Sequence, residues 1–261
     1  MRGADRSGYK SSFALLLPMR CVMFIAVFTL GAAAAGKALS ETANWWSLTA
    51  SCVNVVTILV LIAAAKSAKM TFGEMIGLHR GGLSVKKTIG LIFIFIAVGM
   101  GGMYLSGLVC YGKVMPRVTA DIASPIPLAL AIVNLIVLPA TVGFAEDGLY
   151  LGLGVNSIKN KYAAVMIPAF FYALQHCFIP MLPDAKYMAY RFISFLPLTV
   201  LFCIYYRKKK DPVPIIAAHA ILDLATGITI LATSSSSKSD AVASRDKLRA
   251  TYPDAWLLYA K

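Results

Sequence analysis

Five ionisable side chains lie inside long apolar stretches of this 261-residue chain: Glu146, Asp147, His176, His219 and Asp223. Ionisable groups are costly in hydrocarbon, so a Glu, Asp or His within a membrane span is by default a candidate functional residue. The five follow the pattern of an E-D pair, then a histidine, then H-x-x-x-D. Carboxylates and imidazoles can accept and donate protons in catalysis. We therefore predict a site that is assembled inside the membrane.

The spacing of these residues indicates that their side chains can meet. His219 and Asp223 are four residues apart, so they share one helix face and are expected to point into the bundle. Tyr172 and His176 have the same spacing. With a helical rise of ~1.5 Å per residue, the polar groups of the three helices lie roughly 14–22 Å from the nearest basic clusters. This comparable depth predicts a shared polar cavity that opens toward the cytoplasm.

Glu146 and Asp147 are adjacent, and adjacent residues do not share a helix face. We therefore expect one carboxylate to point inward and the other to be a supporting or loop partner. Asp147 and Tyr172 are assigned as supporting residues. A clamp in which polar groups merely hold helices together is the alternative for such side chains. It is disfavoured because five ionisable groups occur at matched depth.

The elements that must position these residues are predicted to be membrane helices. Hydrophobic residues make up 59% of the chain, above the roughly 45–50% of soluble domains. Apolar runs of about 20 residues recur, each long enough to cross the ~30 Å hydrocarbon core. Backbone groups in lipid must be bonded within the segment, so the spans should be helical. We predict an all-α, polytopic transmembrane bundle of about seven spans, near residues 13–36, 45–65, 88–110, 126–147, 162–182, 190–206 and 213–232.

The net charge of +13 has a distribution typical of membrane topology and not of a nucleic-acid-binding surface. Alternate span junctions carry 14 Lys and Arg residues, against 5 in the intervening loops. The positive-inside rule then places the N-terminus in the cytoplasm. We expect a multi-pass protein of the cell membrane, with the lipid bilayer and a peptide or protein substrate as partners and no nucleic acid.

The sequence predicts a membrane domain followed by a polar tail. Residues 1–232 form the integral membrane domain, with the chemistry-bearing motifs within 145–225, whereas residues 233–261 are Ser-rich and charged and predict a flexible polar tail. The first apolar segment follows a basic leader and ends with Ala33 and Ala35, as a cleavable signal peptide would. Because several further spans follow, a retained first helix is expected.

The three motifs together resemble the CAAX protease and bacteriocin-processing (CPBP) family of intramembrane proteases, which includes the Ras-converting CAAX endopeptidase. That family carries E-E-x-x-x-R, then F-x-x-x-H, then H-x-x-x-N/D on successive membrane helices. The corresponding residues here begin at Glu146-Asp147, Tyr172-x-x-x-His176 and His219-x-x-x-Asp223. The order and spacing agree over residues 145–225, and three motifs in the right order are a fairly specific signal.

The resemblance implies an endopeptidase in which Glu146 and His176 bind and activate a water, with Glu146 as general base. His219 would stabilise the oxyanion of the tetrahedral intermediate. An ionised Asp223 only accepts hydrogen bonds, so it either remains protonated or orients a His219 that donates alone, and we favour the second. The catalytic assignment is thus Glu146, His176, His219 and Asp223.

Two questions remain open in the sequence. Glu146, His176 and His219 could form a His₂Glu site for a divalent metal such as zinc, although no local H-E-x-x-H is present. Leu151 stands where the family motif has arginine, which removes a cation that could hold a carboxylate ionised. The alternative to an active protease is therefore a catalytically silent relative that binds a partner, as an immunity or maturation factor. A proton-coupled transporter is less favoured, because no paired repeat halves are found.

Overall fold

The computed structural model describes residues 9–78, 83–116 and 122–251, with side chains as far as residue 237. Within these ranges the regular structure is helical and no β-strand occurs. A helix satisfies its backbone hydrogen bonds within its own segment, which is what apolar spans in lipid require. The protein is an all-α, polytopic membrane bundle, as predicted.

The described residues form a succession of helices. A 3₁₀ turn at Ser11–Leu16 leads into α1, and one at Ala43–Trp45 separates α2 from α3. A 13-residue π-helix, which we call the π segment, occupies Gly143–Val155 and continues α6 without a break. The α-helices are α1 (Met19–Ala35), α2 (Leu39–Thr42), α3 (Trp46–Ser67), α4 (Phe72–Ile76), α5 (Val85–Tyr111), α6 (Leu128–Val142), α7 (Ala163–Gln175), α8 (Ala185–Lys209) and α9 (Val213–Thr251).

Six stretches of the described chain are long and apolar enough to cross a membrane, and they coincide with six of the predicted spans. They are Ser11–Ala35, Leu39–Ser67, Val85–Tyr111, Leu128–Val155, Ala185–Lys209 and Val213–Ser237. The remaining prediction, 162–182, corresponds to α7, which has only 13 residues and is therefore about 20 Å long. The count of seven spans and the cytoplasmic N-terminus stay predictions.

Helix α8 packs between α5 and α7, while α6 packs on α9 and on α3. The π segment lies at the centre of this arrangement and contacts α3, α4, α6, α7, α8 and α9. Its residues are almost all buried, unlike those of α5, whose side chains face outward over much of its length. The segment that carries Glu146 and Asp147 is therefore enclosed by protein.

Glycines let the π segment approach its neighbours closely. A Cβ at Gly143 would stand 2.8 Å from Cγ2 of Ile216 on α9, and one at Gly152 would stand 3.0 Å from Cα of Ile76 on α4. Small residues are the usual means by which membrane helices bring their backbones together. This close packing positions the two carboxylates beside α9.

The last helix continues beyond the predicted end of the final span. Helix α9 extends to Thr251, although residues 233–261 were expected to form a flexible tail. Residues 252–261 lie outside the described residues. The division into a membrane domain at 1–232 and a flexible tail stays a prediction.

Candidate active site

Three elements bring the five predicted residues together, four of them at the wall of one cavity. Glu146 and Asp147 project from the π segment, His176 caps the C-terminal end of α7, and His219 and Asp223 lie one turn apart on α9. Glu146, His176, His219 and Asp223 all line a cavity of about 320 Å³. The structure brings the five residues together, while their catalytic roles and the opening of the cavity toward the cytoplasm stay predictions.

One side of the site is a set of side chains around a buried arginine, which we call the arginine network: Arg20, Thr57, Glu146, Tyr150 and Gln175. Arg20 donates from Nη2 to Glu146 Oε1 at 2.7 Å, from Nε to Gln175 Oε1 at 2.6 Å and from Nη1 to Thr57 Oγ1 at 3.1 Å. Gln175 Nε2 donates to Glu146 Oε2 at 2.7 Å, and the Tyr150 hydroxyl donates to Gln175 Oε1. Both oxygens of Glu146 are thereby held.

The held carboxylate directs one oxygen at the two histidines. Glu146 Oε2 lies 4.0 Å from Nε2 of His176 and 3.7 Å from Nε2 of His219. His176 Nδ1 lies 2.8 Å from the backbone carbonyl oxygen of Tyr172, which can only accept, so Nδ1 carries the proton. In the neutral imidazole, Nε2 of His176 is then an acceptor that faces the carboxylate. Two acceptors at this separation are complementary to a donor molecule between them.

The other side of the site surrounds His219, and we call it the histidine network: Asp147, Tyr172, His219 and Asp223. The Tyr172 hydroxyl donates to Asp147 Oδ1 at 2.8 Å, so its oxygen accepts from Nδ1 of His219 at 3.0 Å. Asp147 Oδ2 is 3.5 Å from Nδ1, and Asp223 Oδ2 is 3.4 Å from Nε2. With Glu146 at 3.7 Å, three carboxylates face one imidazole.

The expectation that only one of the adjacent carboxylates would point inward is wrong. Glu146 is 4% exposed and Asp147 is 2% exposed, and both approach the His219 ring. The expectation assumed α-helical geometry, but the segment is a π-helix, in which backbone bonds run from i to i+5 and the turn is wider. The two carboxylates bracket the imidazole, one at each ring nitrogen.

Helix α8 supports the end of α7 at which His176 lies. The ring of Phe195 stacks on the His176 ring with centroids 3.6 Å apart. Arg191 lies over the Phe195 ring and donates to the backbone carbonyls of His176 and Ile179, at 3.2 and 2.7 Å. Because α7 ends at Gln175, these contacts add to the backbone hydrogen bonds of the following turn, such as that from His176 N to Ala173 O.

Most of the cavity wall is apolar. Besides the polar groups described above, side chains from α3, α5, α6, α8 and α9 line it, including Met100, Met103, Leu138, Leu198 and Leu222. An apolar cavity with a few convergent polar groups is the usual form of a ligand site. The cavity can therefore hold an apolar chain next to ionisable groups.

The described side chains do not support a His₂Glu metal site. No group of His, Cys, Asp and Glu side chains in the described ranges converges as metal ligands do. Both oxygens of Glu146 already accept hydrogen bonds, and a guanidinium 2.7 Å from one of them would repel a divalent cation. The zinc site stays a prediction from the sequence alone, and the steps proposed below use no metal.

Sequence reasoning missed the arginine network and Arg191. An arginine in an apolar run is as costly as a carboxylate, and Arg20 stands in the predicted span 13–36, where this signal was readable. Gln175 directly precedes His176 and could have been found in the same way. Partners on distant helices could not have been assigned, because Arg20 and Glu146 are 126 positions apart.

Comparison with known proteins agrees with the three motifs. The family model described as type II CAAX prenyl endopeptidase Rce1-like matches residues 128–225, which run from the start of α6 to the first half of α9. The resemblance expected from the motifs is confirmed by this match. No curated protein and no solved structure matches the chain.

Proposed function

We propose that this chain, whose residues 128–225 carry the Rce1-like domain, is an intramembrane endopeptidase that cleaves a membrane-associated protein or peptide. The observation that carries the proposal is that Glu146 Oε2 lies within 4.0 Å of Nε2 of both His176 and His219 at the wall of a cavity. A buried carboxylate beside an imidazole acceptor and an imidazole donor is the set of groups that activation of water requires.

In the first step a water donates one hydrogen bond to Glu146 Oε2 and one to Nε2 of His176. Its oxygen attacks the carbonyl carbon of the scissile peptide bond while Glu146 takes up the proton. Gln175 and Arg20 keep the carboxylate directed at the water, and the Phe195 stack fixes the His176 ring. Holding reactants in the productive geometry lowers the entropic part of the barrier.

In the second step the negative charge that develops on the carbonyl oxygen is stabilised by the N–H of His219. A cationic His219 is complementary to its surroundings, because Glu146, Asp147 and Asp223 face its ring. Donors aimed at the developing oxyanion usually contribute strongly to catalysis. The C–N bond then breaks, Glu146 returns its proton to the leaving amine, and a carboxyl group forms on the other product.

The apolar wall supports a substrate that presents a hydrophobic segment or a lipid-modified end. The family description names CAAX prenyl endopeptidases, so a prenylated CAAX peptide is the first probe to use. Peptide precursors and small membrane proteins are the other candidates. The cavity volume of about 320 Å³ accommodates part of such a molecule and not a folded domain.

The test combines a defined probe with an open search for substrates. Wild-type protein in lipid vesicles is incubated with a fluorogenic prenylated CAAX peptide, and membrane fractions of expressing cells are searched for new peptide termini by mass spectrometry. Glu146→Gln and His176→Ala are compared at equal expression. We expect both variants to lower the cleavage rate by about 10²–10⁴-fold, the usual contribution of a general base.

A matched control is Glu41→Gln, because Glu41 is an exposed carboxylate at the start of α2. This control should cleave at the wild-type rate. The endopeptidase proposal would be refuted if the wild type left the peptide intact and gave the same peptide termini as both site variants. The chain would then be a binding protein on a protease scaffold.

A further inference from the structure

The buried guanidinium of Arg20 has a role that the family match does not cover. Arg20 is 0% exposed and lies on α1, more than one hundred positions before the matched segment 128–225. Burying a charge without compensation is strongly unfavourable, so a buried arginine must have partners that balance it. Its three nitrogens bond to three different helices or segments, through Thr57, Glu146 and Gln175.

The bond to Glu146 differs from an ordinary helix contact because it closes a ring of side chains. Arg20 bonds both Glu146 and Gln175, and Gln175 bonds the second oxygen of Glu146. Rotation of the carboxylate would break two charge-assisted bonds at once. The ring therefore fixes which oxygen faces the histidines at 4.0 and 3.7 Å.

The family motif supplies its arginine from a position that is apolar in this chain. Leu151 is 0% exposed and belongs to the same buried cluster as Leu17, which lies one turn before Arg20. The π segment thus offers no cation of its own near Glu146. The positive charge enters instead from the first helix.

We propose that Arg20 is the positioning residue that balances the charge of Glu146 and aims it at the histidines, in place of the arginine absent at 151. The inference rests on the proposed function for its catalytic meaning, but the Arg20–Glu146 pairing is testable without any turnover. It also makes α1 an integral part of the site. Leu151 then no longer favours a silent protein.

The test uses a chemical probe of Glu146 that does not depend on cleavage. Dicyclohexylcarbodiimide reacts with protonated carboxyl groups in apolar sites to form a stable N-acylurea, whereas a carboxylate paired to a guanidinium does not react. Membranes that contain wild type, Arg20→Gln or Arg20→Lys are labelled at neutral pH, and modification of Glu146 is measured by peptide mapping. We expect labelling in Arg20→Gln and little in wild type or Arg20→Lys.

Kinetics on the prenylated CAAX peptide supply the second measurement. Arg20→Gln should lower kcat by about 10- to 100-fold, as expected for the loss of a hydrogen bond between charged groups, with little change in KM. Arg20→Lys should recover part of this loss, because it keeps the charge but not the planar fork. Lys37→Gln removes an exposed cation and is the control.

Arg20→Gln protein that resists labelling at Glu146 and retains wild-type kcat would overturn the inference. If Arg20→Gln does not fold, Arg20→Lys decides: a wild-type kcat overturns the positioning role, and a reduced kcat at unchanged KM supports it. Labelling of Glu146 in Arg20→Gln alone, in a protein whose wild type cleaves nothing, would support the pairing while refuting the proposed function. The two failures are thus distinguishable.

Discussion

The arginine network and the histidine network are neighbours that differ in how completely their polar groups are satisfied. In the arginine network both oxygens of Glu146 accept strong hydrogen bonds. In the histidine network Asp147 Oδ2 and Asp223 Oδ2 are buried without a hydrogen-bond partner among the described residues. Buried polar atoms without partners are uncommon and call for an explanation.

This difference indicates that the arginine network is preorganised, whereas the histidine network has acceptors that lack donors. A fully bonded carboxylate is held in one orientation, as a general base should be. Carboxylate oxygens that lack donors attract a cationic imidazole between them, and they can also accept from a substrate amide. The arginine network, whose hydrogen bonds are complete, can hold a general base in place. The histidine network, which has acceptors without donors, can bind the N–H groups of a peptide.

His219→Ala should have the largest effect on the histidine network. The variant removes the proposed donor to the oxyanion and leaves Glu146, Asp147 and Asp223 without the imidazole between them. We expect a loss in kcat of about 10²–10³-fold, the usual effect of deleting one oxyanion donor. Cleavage of the prenylated peptide measures it.

If His219 acted only as a structural clamp, His219→Ala would lower the temperature of thermal unfolding but leave the kcat of the folded protein near that of wild type. A wild-type kcat in folded His219→Ala would contradict the oxyanion role. It would also show that the histidine network does not stabilise the oxyanion as proposed.

Tyr172→Phe should have an intermediate effect, which falls on stability more than on the chemical step. The hydroxyl bridges Asp147 Oδ1 and His219 Nδ1, so its removal leaves the buried Oδ1 without its donor. Loss of a partner from a buried polar group costs about 1–3 kcal/mol. Thermal unfolding in detergent should show the loss, and Tyr150→Phe in the arginine network is the matched comparison.

We expect Tyr150→Phe to lower the thermal unfolding temperature less than Tyr172→Phe does, because Gln175 Oε1 also accepts from Arg20 and stays bonded. Equal destabilisation by the two substitutions would mean that the networks are equally satisfied. The contrast drawn above would then be wrong.

Asp223→Asn should have the smallest effect on cleavage. The family pattern accepts Asn or Asp at this position, and an amide can donate a hydrogen bond to an oxyanion as well as accept one. The unpartnered Oδ2 is also replaced by a group that carries no charge. We expect kcat within about tenfold of wild type, since a single neutral hydrogen bond contributes about one factor of ten.

Steady-state kinetics on Asp223→Asn beside Asp223→Ala separate the two roles of this residue. If Asp223 only orients His219, Ala should be worse than Asn. If Asn lost as much activity as His219→Ala, the charge of Asp223 and not its geometry would be essential, and a cationic His219 would depend on it.

Much of the candidate site was predictable because membrane burial is so selective. Glu146, His176 and Asp223 are conspicuous in apolar runs, and the four-residue step from His219 to Asp223 places them on one face of α9. The helical class follows from the need to satisfy backbone groups in lipid. These conclusions depend on local composition and helix period, which the sequence carries directly.

The ends of the helices and the π-helical type of one segment were harder to predict from the sequence. The span predicted at 162–182 ends as a helix at Gln175, so His176 is held by Arg191 and Phe195 from α8 as well as by the last turn of its own helix. The π segment was expected to continue as an α-helix, and no sequence pattern distinguished the two. Its wider turn brought both adjacent carboxylates to His219, against expectation.

The sequence by itself determined that the chain is a helical membrane protein and that its carboxylates and histidines meet in the bundle. The length of the apolar runs, the distribution of Lys and Arg between loops and the spacing of the motifs are local properties of the sequence. Only the tertiary structure decided that Arg20 faces Glu146 while Leu151 joins the core. A charge partner is chosen by distance in space, and distance between helices is set by how side chains pack, which no local pattern encodes.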